Sequence, residues 1–141
     1  AMFNRVLGQG TASRLFSDVR ETLNLTYNIN SSVAPAKGVG VFAIRTQSQK
    51  VSEMVNAIFK HIDRAVNEDP TEKEFDIAKS GMAQSFPLEI EVAGQIAGKV
   101  DTQITYGLAP DYWKTYRDQV LAVQRTDLRP VAKKNIHQVP V

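Results

Sequence analysis

The order of patterns along this sequence predicts an α+β domain: a short helical segment, a pair of extended segments, then an unbroken run of helices. Three observations carry that expectation. Leu15, Phe16, Val19 and Leu23 recur at three- and four-residue spacing, residues 25–47 alternate apolar with polar side chains, and every apolar stripe from residue 51 onward has a helical period. A doubly wound architecture would interleave strands with helices, and this chain does not. Two strands alone are marginal. The expected arrangement is therefore an antiparallel or mixed sheet, incomplete in this chain, packed against several helices.

Taken in order, residues 3–23 carry a helical pattern interrupted by Gly8-Gln9-Gly10, with Ser13 or Thr11 expected to cap the part after the glycines. Asn24 follows the last apolar residue and suits a left-handed C-terminal position. Leu25, Tyr27 and Ile29 then alternate with Thr26, Asn28 and Asn30. A loop is expected around 31–37, after which Val39, Val41, Ala43 and Arg45 alternate with Gly40, Phe42 and Ile44. Val51, Met54, Val55, Ile58, Phe59, Ile62 and Val66 make a helical stripe that ends in the loop Asn67–Pro70. Thr71 with Glu74 reads as a capping box, continued on one face by Phe75, Ala78, Met82 and Ser85, and Phe86-Pro87 marks a break. Leu88, Val92, Ile96, Val100 and Ile104 repeat every four residues beside the small Ala93, Gly94, Ala97 and Gly98. Pro110 and Asp111 open a helix bearing Tyr112, Trp113, Tyr116 and Val120. Thr126 is expected to cap a last helix with Leu128, Val131, Ala132 and Ile136 inward.

Composition narrows the chemistry. At 141 residues the chain has the size of one domain, 1–141, and its 43% hydrophobic and 23% charged residues sit near the average of globular chains. With no cysteine, a disulfide scaffold, a thiolate metal site and a cysteine nucleophile are excluded. No apolar run approaches the roughly 18–20 residues of a membrane span. The net charge of +2, from 17 basic and 15 acidic residues, gives no sign of nucleic-acid binding. The acidic stretch 67–76 and the basic stretch 125–134 read as a solvated loop and a solvated helix face. No signal-peptide architecture opens the chain, and Ala1 before Met2 reads as an expression remnant on a piece of a longer polypeptide. The compartment stays open, with a periplasmic or cytoplasmic setting expected if the source is bacterial.

Motifs for an active centre are sparse. There are two histidines, His61 and His137, far apart and in neither H-E-x-x-H nor H-x-x-E-H, so no metal site is expected within the chain. His61 reads as a helix residue at the edge of an apolar stripe, and His137 as a tail residue. No serine sits in a G-x-S-x-G elbow. Gly8-x-Gly10-x-x-Ser13 lacks the third glycine and the preceding strand of a dinucleotide fingerprint, and reads instead as a bend. Asn24-Leu25-Thr26 and Asn30-Ser31-Ser32 match the glycosylation pattern by chance. One pair stands out: Arg20 at the end of a helix and Tyr27 near the start of a strand can reach the same edge. A guanidinium offers forked donors to a peptide carbonyl, and a phenol can donate to a developing oxyanion. The ordinary alternative is a surface arginine and a half-buried strand tyrosine.

Gly8-Gln9-Gly10-Thr11-Ala12-Ser13-Arg14-Leu15-Phe16, followed by Val19-Arg20-Glu21 and Leu25-Thr26-Tyr27, resembles the start of the non-catalytic domain of pitrilysin-type (insulinase-type) zinc metallopeptidases. The helix with Thr71, Glu74, Phe75, Ala78 and Lys79 is consistent with the same family, as is the closing helix from Thr126 to Ile136. Asn24 departs from the glycine the family prefers. The resemblance implies most of one α+β, metallopeptidase-half-like domain, with its remaining strands before Ala1 and after Val141. It implies no catalytic residue within this chain. Zinc would be carried by a partner domain or subunit bearing H-x-x-E-H, with Arg20 and Tyr27 reaching the peptide substrate held there. Arg20 would hold substrate backbone, and Tyr27 would help stabilise the tetrahedral intermediate. The competing reading is a scaffolding homologue that has lost peptidase work. Unpaired strand edges also lead us to expect self-association of the isolated chain.

Overall fold

The structure, a computed structural model, describes residues 1–38 and 40–136. α1 (Met2–Gly8) stops at the glycine turn, and helix resumes at Arg14. Gly10 has φ +95°, a conformation that side-chain-bearing residues rarely adopt. Gly8 is required for another reason: a Cβ there would lie 2.5 Å from Ser31 Oγ and 2.8 Å from Leu15 Cδ1. That close approach lets the buried Asn4 bond to the facing strand. Its Nδ2 donates to the Ser31 carbonyl at 3.2 Å, and its Oδ1 accepts from Ser31 Oγ at 2.6 Å. Ser13 does not cap the helix. Its hydroxyl donates to the Gly10 carbonyl at 2.7 Å and closes the turn, while Thr11 stays within that turn.

The resumed helix widens into a π turn over Phe16–Thr22, where the Leu23 N–H donates to the Asp18 carbonyl at 2.8 Å. Asn24 follows at φ +51°, left-handed as its position in the sequence indicates. β1 (Ile29–Ala34) and β2 (Val41–Thr46) pair antiparallel, from Ile29 opposite Thr46 to Ala34 opposite Val41. The first strand thus begins later than the alternation from Leu25 suggests, and the reversal falls later than 31–37. The reason is that side chains, not a ladder, bond residues 25–28: Thr26 Oγ1 donates to the Gln47 carbonyl at 2.7 Å, and Ser48 Oγ to the Leu25 carbonyl at 2.6 Å. Phe42 and Ile44 are the β2 residues that pack on the core, whereas Val41 is exposed. Val39 lies outside the described residues, as does His137.

The described residues form two compact units. The first comprises residues 1–78 and the described part of 124–141. In it Leu7, Leu15, Val19, Leu25 and Ile29 meet Met54, Ala57 and Ala65 of α2 (Val51–Asn67). The buried face of α2 is centred on Met54, Ala57, His61 and Ala65, while Val51, Val55 and Phe59 are exposed. At 100° per residue, this face is turned roughly 70° from the centre of the apolar stripe. Two strands are too narrow to cover the whole arc, and the small Ala57 and Ala65 allow the closest approach. α6 (Leu128–Asn135) packs on α2 and α1 through Leu128 and Ala132, with Val131 outward. Thr126 is not its cap. It sits in a 3₁₀ turn (Arg125–Asp127), where the Gln124 N–H donates to Asp127 Oδ2 at 2.8 Å. The acidic and basic stretches, read as solvated, meet here: Arg125 donates to the Pro70 carbonyl at 2.9 Å, and Arg129 stands 3.5 Å from Asp69.

α3 (Glu72–Ser85) opens with the expected capping box. Thr71 N–H donates to Glu74 Oε2 at 2.7 Å, and Glu74 N–H donates to Thr71 Oγ1 at 3.3 Å. The helix stops before Phe86-Pro87, as proline requires. The second unit, Lys79–Val123, adds a 3₁₀ turn (Pro87–Ile90), α4 (Ala93–Tyr106) and α5 (Tyr112–Ala122). Its nucleus is aromatic: Phe86 lies 4.7 Å from Tyr116 and 6.3 Å from Trp113, centroid to centroid. Trp113 Nε1 donates to the Lys99 carbonyl at 2.9 Å, and the Lys99 ammonium lies 4.6 Å from the Trp113 centroid. Leu88, Val92, Ile96, Val100 and Ile104 are all exposed. A four-residue repeat drifts about 40° per step around a helix, so the row winds instead of forming one inward line.

Candidate functional site

Arg20 and Tyr27 line one open cleft of about 1180 Å³ in the first unit, with Phe16, Glu21, Asn24, Gln47, Ser48 and Lys50 among its walls. The local chain explains how each arrives there. In the π turn, Val19 is fully buried while Arg20, one residue on, faces outward, its guanidinium 4.5 Å from the centroid of the Phe16 ring. Such a cation–aromatic contact limits the freedom of a long side chain without using its N–H donors. Among the described residues no carboxylate or carbonyl accepts a hydrogen bond from Arg20.

Tyr27 is 92% exposed, and its phenol has no hydrogen-bond partner among the described residues. The alternation that would half-bury it with Leu25 and Ile29 fails because residues 25–28 precede the strand. Both flanks of the tyrosine are nonetheless anchored. Leu25 is buried, and its N–H donates to the Val19 carbonyl at 3.1 Å. The Thr26 hydroxyl donates to Gln47 and accepts from the Asn28 N–H at 3.1 Å. A well-held backbone therefore presents a free phenol. The sequence marks Arg20 and Tyr27 but gives no sign of the opposite wall, Gln47 to Lys50, which only the β-hairpin return brings to the cleft.

On another side of the same helical turn, two pairs fasten it to later elements. Arg14, its side chain 3% exposed, meets Glu74 with both Nε (2.7 Å) and Nη2 (2.9 Å). Burial alone would raise the Glu74 carboxyl, but hydrogen bonds from Arg14 and from the Thr71 N–H, with the Arg14 charge, outweigh it and hold it at about 2. His61 Nε2 lies 2.7 Å from Asp18 Oδ2. No spacing rule in a sequence announces partners 60 and 43 positions apart. Among the described residues, no three His, Asp or Glu side chains gather as a ligand set for a metal ion. No helix among them is long and apolar enough to cross a membrane.

A family profile described as the peptidase M16 inactive domain matches residues 1–82, more than half of the chain. The chain belongs to this family. It is the family whose non-catalytic domain the N-terminal residues resemble. The fold is similar to that of a peptidase M16 inactive domain from Pseudomonas fluorescens, at 25% identity and a TM-score of 0.88 over 96% of this chain and 33% of that one. It is also similar to a conserved protein from Enterococcus faecalis V583 (21% identity, TM-score 0.76, 94% of this chain and 31% of that one). A protease from Helicobacter pylori shows the same fold (19% identity, TM-score 0.81, 94% and 33%). The chain spans about a third of the length of these proteins. No protein with curated annotation matches it.

Proposed function

We propose that this inactive-domain chain serves as the substrate-contacting half of a metallopeptidase, with catalysis assigned to a partner domain or subunit bearing H-x-x-E-H. The observation that carries the reading is that Arg20 and Tyr27 line one cleft, each with hydrogen-bonding capacity that no described residue takes up. An extended peptide needs donors for its carbonyl oxygens. Arg20 supplies two parallel N–H groups, and Tyr27 a single O–H that can strengthen its bond as the carbonyl oxygen gains charge. The amide-rich wall at Gln47 and Gln49 offers further backbone partners. These residues do not fit a metal, so zinc falls to the partner, where such an ion activates water or polarises a carbonyl. This chain's share of the work is binding and orientation.

The test is peptide hydrolysis by the chain together with its H-x-x-E-H partner. Arg20→Ala is expected to lower kcat/KM by roughly 10- to 100-fold, and Tyr27→Phe by roughly tenfold, with the assembly intact. Unchanged turnover in both variants would favour the scaffolding homologue instead.

A further inference from the structure

We infer that His61, through Asp18, is a positioning residue that holds the π turn in the register that delivers Arg20 to the cleft. The inference rests on the proposed role of Arg20 for its functional meaning, though not for its geometry. His61 belongs to the buried face of α2, otherwise made of Met54, Ala57 and Ala65, and is itself 4% exposed. An apolar residue would fill that place without difficulty. The imidazole instead leaves Nδ1 buried with no partner among the described residues, while Nε2 meets Asp18 Oδ2 at 2.7 Å. Such an arrangement is costly as packing and makes sense as a tether.

The residue it tethers is the one that defines the wide turn. The Asp18 carbonyl accepts the Leu23 N–H across five residues, and the Ser17 carbonyl likewise accepts the Thr22 hydroxyl, at 3.2 Å. A π turn accommodates one residue more than an α turn, and such insertions recur at functional sites. Its collapse to α geometry would rotate everything beyond Asp18 by about 100° relative to what precedes it. Asp18 faces α2 and lines a smaller cleft with His61, Arg14 and Glu74, whereas Arg20, two residues on, lines the large one with Tyr27. Anchoring the first from α2 orients the second.

The experiment compares His61→Leu, His61→Gln and Asp18→Ala in the full chain. The first readout is the side-chain NMR resonance of Arg20, displaced by the Phe16 ring 4.5 Å away. His61→Leu and Asp18→Ala are expected to shift it toward the value of a free arginine, whereas His61→Gln, which keeps an N–H donor for Asp18, restores it. The double variant should shift it no further than either single one. Asp18→Ala, at a half-exposed side chain, keeps the question answerable if His61→Leu does not fold. The second readout is peptide hydrolysis with the H-x-x-E-H partner: Asp18→Ala should lower kcat/KM roughly five- to tenfold, and by nothing further once Arg20 is alanine. An unshifted Arg20 resonance in folded Asp18→Ala would overturn the inference. A shifted resonance with hydrolysis indifferent to Arg20→Ala would uphold the tether and overturn the proposed function instead.

Discussion

At the scale of single residues, the Arg14–Glu74 pair is the most consequential contact outside the cleft. Its arginine is almost wholly buried, so truncating it strands a carboxylate whose other bonds serve a helix start. Arg14→Leu is expected to destabilise the first unit by about 3 kcal/mol in chemical denaturation, with Glu74→Gln milder. The pH dependence follows from the depressed Glu74 carboxyl. Its folded value of about 2 lies below the ordinary 4.5, so the stabilisation is complete above that value and disappears as pH falls toward 2. After allowance for the solvent that still reaches the carboxylate, about 2 kcal/mol should vanish over this interval, and Glu74→Gln should flatten the profile. Gly8 gives a steric counterpart. Gly8→Ala forces a methyl against Ser31 and Leu15, and should lower stability by about 1–3 kcal/mol, visible as a drop in Tm.

At the scale of elements, caps and turns are where the sequence speaks most directly and where it also misleads. Thr71 and Glu74 stand three residues apart and form the box that this spacing indicates, so Thr71→Ala should cost about 1 kcal/mol. Thr126 has the right chemistry before a helix, yet Asp127 takes the bond at Gln124. Thr126→Ala should therefore be neutral in thermal denaturation, while Asp127→Ala is measurably destabilising. Asn24 was legible because few residues accept a positive φ. Asn24→Ala should cost about 1 kcal/mol and Asn24→Gly nothing, by the same measurement. The π turn was not legible, since a helical repeat in the sequence does not distinguish five-residue from four-residue hydrogen bonds.

At the scale of the whole chain, the two units differ in what they bury. The first gathers aliphatic side chains from four elements, whereas the second, 79–123, buries Ala83, Phe86 and Val120 and leaves the α4 stripe open. A unit that small is marginal by its surface-to-volume ratio. Trp113, the single tryptophan, lies in it. Its fluorescence should change at lower urea concentration than the far-ultraviolet circular dichroism of the whole chain, and coincident transitions would show one cooperative block.

The sequence by itself determined the order of elements, the capping box, the proline break, the left-handed asparagine and the Arg20–Tyr27 candidates. Each of these depends on residues within a few positions of one another, where spacing and backbone preference suffice. Tertiary structure alone decided which side of α2 meets the core, which wall faces Tyr27, and which distant partners hold Arg14 and Asp18. Burial and long-range pairing are settled by the available area of sheet and by the closest approach of backbones, quantities that no local pattern contains.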